Sequence, residues 1–132
     1  MSQKTAMVLP YQALHYVAID FDKDSGAAMD GPRLPKGALI LDEVLIVHEA
    51  WDGPGAGAPA VNVGDAGSAT RFFSAQALTA PGVFKSATAG YFVTAEENVK
   101  IAITQDSSTT GKATLVVFYA PLNLAEVAGL QG

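Results

Sequence analysis

The sequence predicts an all-β fold, a β-sandwich or jelly-roll-like barrel with one short helix. Three observations predict it. Two-residue alternation of apolar and polar side chains recurs in seven or eight short segments, turn residues separate them, and a single segment suits a helix. No internal repeat appears at a solenoid or propeller period.

The elements follow in chain order. In "LHYVAIDF", Val17, Ile19 and Phe21 face one way and Leu14, Tyr16 and Ala18 the other. "DKDSGAAMDGPRLPKG" is a polar, glycine-containing connection. "ALILDEVLIVHEAW" is too long for one flat strand and reads as two segments joined at Asp42-Glu43 by a bulge or tight turn. Beyond that joint Val44, Ile46 and His48 share one face, and Leu45, Val47 and Trp51 the other. "PAVNVG" is a short strand. "SATRFFSAQAL" is the helix candidate, with Ser68 as N-cap. "LTAPGVFKSATAGYFVTA" is loop and short strand, turning at Pro81-Gly82. "NVKIAITQ" buries Val99, Ile101 and Ile103, and with "KATLVVFYAP", which Pro121 stops, it is expected to form a hairpin across "DSSTTG". The expected organisation is an N-terminal arm over 1–13, a β-sandwich over 14–121 and a C-terminal tail over 122–132.

Composition narrows the function. With 132 residues, 49% hydrophobic and 16% charged, the chain suits one domain with a packed core. The net charge of -5, with eight scattered Lys and Arg, supplies no basic patch and excludes nucleic acid as a direct partner. The absence of cysteine removes disulfides, thiolate metal sites and a cysteine nucleophile. "MSQKTAMVLPYQ" is not a secretory signal, and no apolar run reaches the roughly 20 residues of a membrane span. Synthesis in the cytoplasm of the cell that makes it and no membrane partner are the expectation.

Motifs for chemistry fail one by one. The glycines at 53, 55 and 57 lack the lysine of a phosphate loop, and Pro54 and Pro59 remove amide donors, so this stretch supplies turn geometry. Asp20, Asp22 and Asp24 alternate like the start of a calcium loop, but position twelve is Gly31, so they solvate a strand end. His15 and His48 have no companion histidine at ligand spacing. Ser68 follows a glycine without the nucleophile-elbow pattern. Adjacent acids at Asp42-Glu43 and Glu96-Glu97 point to opposite strand faces, which is wrong for paired-carboxylate hydrolysis. No catalytic residue, metal site or cofactor is assigned, and an enzyme is not expected.

In "NVGDAGSATRFF", Gly64 and Gly67 allow positive φ, Asp65 or Ser68 bonds nearby amides, and Arg71 pairs with an aspartate on the connection. One of Phe72 and Phe73 belongs to the core and the other to a subunit contact. Three segments, "LPKGALILDEVLIVHEAWDG", "VNVGDAGSATRFF" and "ENVKIAITQDSSTTGKATLVVFYAP", together resemble the small, cysteine-free β proteins of tailed-bacteriophage virions, in particular head decoration and capsid cement proteins. The resemblance spans about residues 34 to 121. It rests on a Pro-x-Gly before a long apolar strand, "VGD" ahead of "RF", and a closing "GKATLVV-x-Y". It implies a non-catalytic protein on the capsid surface, self-associating as a trimer and contacting the major capsid protein. Candidate contact residues are Tyr11, Tyr16, Trp51, Arg71, Phe73, Phe84 and Tyr91, because aromatic and arginine side chains anchor interfaces. Two other classes stay open: a carbohydrate- or receptor-binding module of a fibre or tail, and a tail or neck structural protein.

Overall fold

The computed structural model describes residues 14–53 and 58–122. The expected arm and all but the first residue of the expected tail lie outside the described residues, as does most of the glycine-rich stretch. Nine strands are described: β1 (His15–Asp22), β2 (Ala28–Leu34), β3 (Ala38–Glu49), β4 (Ala60–Gly64), β5 (Phe73–Ala77), β6 (Gly82–Lys85), β7 (Tyr91–Phe92), β8 (Glu97–Thr104) and β9 (Lys112–Pro121). They form two antiparallel sheets. One runs β1-β9-β3-β6 with β7 also beside β3, and the other runs β2-β8-β4-β5.

Alternation builds the core between the sheets. Phe21, Leu45, Val47, Ala113, Leu115 and Val117 enter it from the first sheet, and Val61, Val63, Val99, Ile101 and Ile103 from the second. Each of these side chains larger than alanine contributes about 1.5–3 kcal/mol by leaving water. The faces expected for β1, β3 and β8 are the faces observed. The joint in the long apolar run is a bulge within one continuous strand. Pairing of β3 with β9 shifts between Ile40 and Asp42, so Leu41 is the extra residue.

Three expectations change. The stretch 68–78 is not a helix but a turn followed by β5. Asp65 Oδ1 accepts the N–H groups of Gly67 and Ser68 at 3.0 and 2.8 Å, and Phe72 N–H donates to the Val63 carbonyl. In a helix capped at Ser68 the Phe72 amide would donate to the Ser68 carbonyl, and its bond to Val63 takes the chain into pairing with β4 instead. Residues 97–104 and 112–121 are consecutive but are not a hairpin, since β8 and β9 lie in different sheets. The connection between them carries Asp106 and Ser107 at positive φ and Gly111 at φ 143°, and it crosses from one sheet to the other. A Cβ at Gly111 would strike the Trp51 ring, so glycine is required there. Finally, the polar connection after β1 contains β2. Pro32 is tolerated because β2 is an edge strand whose pairing with β8 shifts between Asp30 and Arg33.

Candidate contact face

The outer surface of the first sheet is apolar across four strands. Ladder partners place Tyr16 of β1 beside Phe118 of β9, which in turn lies beside Asp42 of β3. The next row is Ala18, Val116, Val44 and Lys85, and the one after is Asp20, Thr114, Ile46 and Val83. Tyr16 is 70% exposed, Val83 68%, Leu14 57% and the bulged Leu41 39%. Val44, Ile46, Val116 and Phe118 on the same face are half-buried. The rings of Tyr16 and Phe118 lie 6.3 Å apart, tilted by 40°.

Charge frames this face at its margins. Asp20 Oδ1 accepts from Thr114 Oγ1 at 2.6 Å, and Thr114 Oγ1 lies 2.8 Å from His48 Nε2. On the opposite side Lys85, with its side chain 78% exposed, is 4.0 Å from Asp42. The outer surface of the second sheet is different: Lys100 pairs with Asp30 at 2.7 Å, Arg33 bonds Asn98 at 2.8 Å and Glu96 at 3.3 Å, and Ala28, Ala102 and Thr104 fill the rest. One face is polar and self-satisfied, whereas the other leaves greasy surface in water.

Beneath the apolar face lies a buried acidic cluster. The bulge in β3 turns Glu43 inward, where it has no exposure and neither carboxyl oxygen has a hydrogen-bond partner among the described residues. Burial pushes its carboxyl up to about 9, and the negative charges of Asp65 and Asp42 push in the same direction. Asp65 itself is 5% exposed and satisfied: its Oδ2 accepts from Arg71 Nε at 2.5 Å. That hydrogen bond raises the Arg71 pKa further. The guanidinium also sits 4.1 Å from the centre of the Tyr91 ring, and Tyr91 meets Phe72 edge-on at 6.0 Å. Gly64 makes this corner possible, because a Cβ there would collide with the Ser68 carbonyl.

The candidate contact residues therefore fall in different places. Tyr16 stands on the apolar outer face. Arg71 and Tyr91 are half-buried together beside Asp65. Phe84 is half-buried and packs against the core from β6. Trp51 and Phe73 are core residues, at 1% and 3% exposure, and the Trp51 indole N–H donates to Gln105 Oε1 at 2.7 Å. Tyr11 lies outside the described residues. Val44, Ile46, Val83, Val116 and Phe118, which share the outer face with Tyr16, were not named as candidate contacts. For Val116 and Phe118 the signal is the unbroken apolar run Leu115-Val116-Val117-Phe118, which a strand with one wet face does not need.

The residues weighed for chemistry are engaged otherwise. Asp22 Oδ1 accepts from the Asp24 N–H at 2.8 Å in a turn, while Asp20 is held by Thr114. No group of three His, Asp or Glu side chains positioned for a metal occurs among the described residues. His15 stacks edge-on against Tyr119 at 5.6 Å. Asp42 and Glu43 do point to opposite faces of β3, as their spacing requires.

The described residues thus form a two-sheet β-sandwich with one exposed apolar face. Comparison with solved structures places that architecture. The chain is 30% identical to a chain of the cyanophage Pam1 capsid asymmetric unit, with a TM-score of 0.61, covering 82% of this chain and 83% of that one. It also shares its fold with a chain of the acidic stable capsid structure of Helicobacter pylori bacteriophage KHP30, at a TM-score of 0.68 and 20% identity, covering 82% and 88% of the two chains. No family model matches, and no curated protein sequence matches. The chain belongs to the same family of bacteriophage capsid proteins as its Pam1 relative, and is a small phage virion protein.

Proposed function

We propose that the chain is a non-enzymatic head protein that decorates or cements the capsid surface, associating with copies of itself, as a trimer, and bridging subunits of the major capsid protein. The observation that carries this reading is the apolar outer face of the first sheet, in a chain of this family. A stable protein contact removes about 800 Å² from water on each partner, with aromatic anchors at its centre. Tyr16 and Phe118, flanked by Val116, Val44, Ile46 and Val83, offer the anchors and an apolar surround. The polar second sheet stays in water on the outside of the particle.

The test is addition of the purified, full-length protein to shells assembled without it, with bound protein measured against free. Saturable binding at a fixed number of copies per shell supports the proposal. Failure to bind, or a monomer that binds an immobilised glycan instead, overturns it.

A further inference from the structure

The two sheets have four margins, and three of them carry features that resist further strand pairing. β2 contains Pro32 and a register shift; β5 has a shift opposite Val61–Val63, where Ala75 adopts φ 50°; β6 is four residues long and bears Lys85. Prolines, bulges, short length and lysines are the usual protections of a sheet edge. β1 has none of them. Its eight residues, "HYVAIDFD", pair with β9 without any shift, contain no Pro, Gly or Lys, and have no strand on their other side among the described residues.

Charge selects what suits this edge. On the outer face β1 presents Asp20, while β6 at the far side of the same sheet presents Lys85. In a face-matched antiparallel overlap of two β1 edges Asp20 falls opposite Tyr16, and in one of two β6 edges Lys85 falls opposite Val83, so neither pairing matches opposite charges. Only β1 against β6 sets opposite charges across the seam. The directions agree as well: β1, β9, β3 and β6 alternate antiparallel, so β1 of a second copy added beyond β6 continues the alternation and keeps the apolar face on one side. An antiparallel register with Asp20 opposite Lys85 keeps both side chains on that face, as the two-residue period demands.

We infer that copies of this chain associate head to tail, the β1 edge of one extending the first sheet of the next along its β6 edge, with Asp20 of one copy paired to Lys85 of its neighbour. Such a contact is heterologous, and it closes into a ring if the rotation per step allows. Closure joins the apolar faces of the copies into one larger surface. The inference rests on the proposed self-association and supplies its geometry.

The test is charge reversal and its rescue in the full chain, with mass followed by sedimentation over a range of concentration at low salt. Both positions are exposed, so far-UV circular dichroism and thermal unfolding are expected to match wild type in every variant. Wild type is expected to oligomerise. Asp20→Lys and Lys85→Glu each weaken association by about fivefold or more, since an attractive cross-strand pair becomes repulsive at every seam, and the double variant returns to near the wild-type value. Hydrogen exchange adds a second readout: β1 amides that do not bond β9 gain protection only at concentrations where the oligomer forms. A monomer at all concentrations, an oligomer indifferent to both reversals, or a double variant as weak as the singles overturns the inference. Saturable shell binding by a monomer would overturn it while leaving the proposed function standing; a β1-paired oligomer that ignores shells would do the reverse.

Discussion

Tyr16 of β1 and Phe118 of β9 are ladder partners whose rings meet 6.3 Å apart on the side of the sheet turned away from the core. An aromatic pair of this kind adds about 0.5–1.5 kcal/mol beyond burial when packed, yet Tyr16 remains 70% exposed. The pair contributes little to folding in the isolated chain and is placed to contribute much when covered.

Replacing these exposed groups is therefore expected to separate binding from stability. Tyr16→Ser and Val83→Asp should each weaken shell binding by about tenfold, following the cost of truncating an interface anchor. Thermal unfolding should move by less than the equivalent of about 0.5 kcal/mol, as for ordinary surface changes. Titration of labelled variants onto shells, beside melting curves, checks both halves.

Glu43 makes stability depend on pH in a stated direction. Its carboxyl is raised from 4.5 to about 9 in the folded chain, so the native state holds a proton that the unfolded chain has lost between those values. Stability from this group is fully present below pH 4.5 and falls as pH rises toward 9, by about 1.4 kcal/mol per unit. At pH 7 the loss is on the order of 3 kcal/mol relative to acid. Urea unfolding at pH 5, 7 and 8.5 should show this slope in wild type and lose it in Glu43→Gln, whose amide does not titrate.

Arg71 and Asp65 are expected to be unequal partners. Asp65 is almost fully buried whereas the Arg71 side chain is 26% exposed. Arg71→Met leaves a carboxylate without its cation next to Glu43, at a cost of about 2–3 kcal/mol. Asp65→Asn keeps a side chain able to accept from the Ser68 amide and should cost about 1 kcal/mol. The double variant should cost less than the sum, and a double-mutant cycle from denaturant curves measures the difference.

The crossing between sheets depends on Gly111. Its φ of 143° and the Trp51 ring against its α-carbon both exclude a side chain. Gly111→Ala should lower stability by about 2 kcal/mol through backbone strain and overpacking. Trp51→Phe keeps most of the burial but leaves Gln105 Oε1 without its indole donor, and should cost about 1 kcal/mol. Calorimetry of the two variants tests the ordering.

Much of the sandwich was legible because one face of each long strand is buried. Val17, Ile19 and Phe21, and Val99, Ile101 and Ile103, declare their inward side by alternation alone, and the bulge near Asp42 was readable from an apolar run too long for one register. Partner choice was not legible. The turn between β8 and β9 has the composition of a hairpin, yet the strands separate because Gln105, Trp51 and Gly111 route the chain across the core. The expected helix gave way for a similar reason: the Phe72 amide, which a helix capped at Ser68 would turn to the Ser68 carbonyl, bonds the Val63 carbonyl of β4. The apolar outer face was half legible. Tyr16, named as a candidate contact, stands on it, but its neighbours there, Phe118, Val116 and Val83, come from strands whose adjacency no local pattern specifies.

The most direct measurement is hydroxyl-radical footprinting of the protein free and bound to shells. Protection is expected at Tyr16, Val83 and Phe118 on the first sheet, with Arg33 and Lys100 on the outer surface of the second sheet unchanged. Protection confined to the second sheet, with Tyr16 as reactive on the shell as in solution, would contradict it.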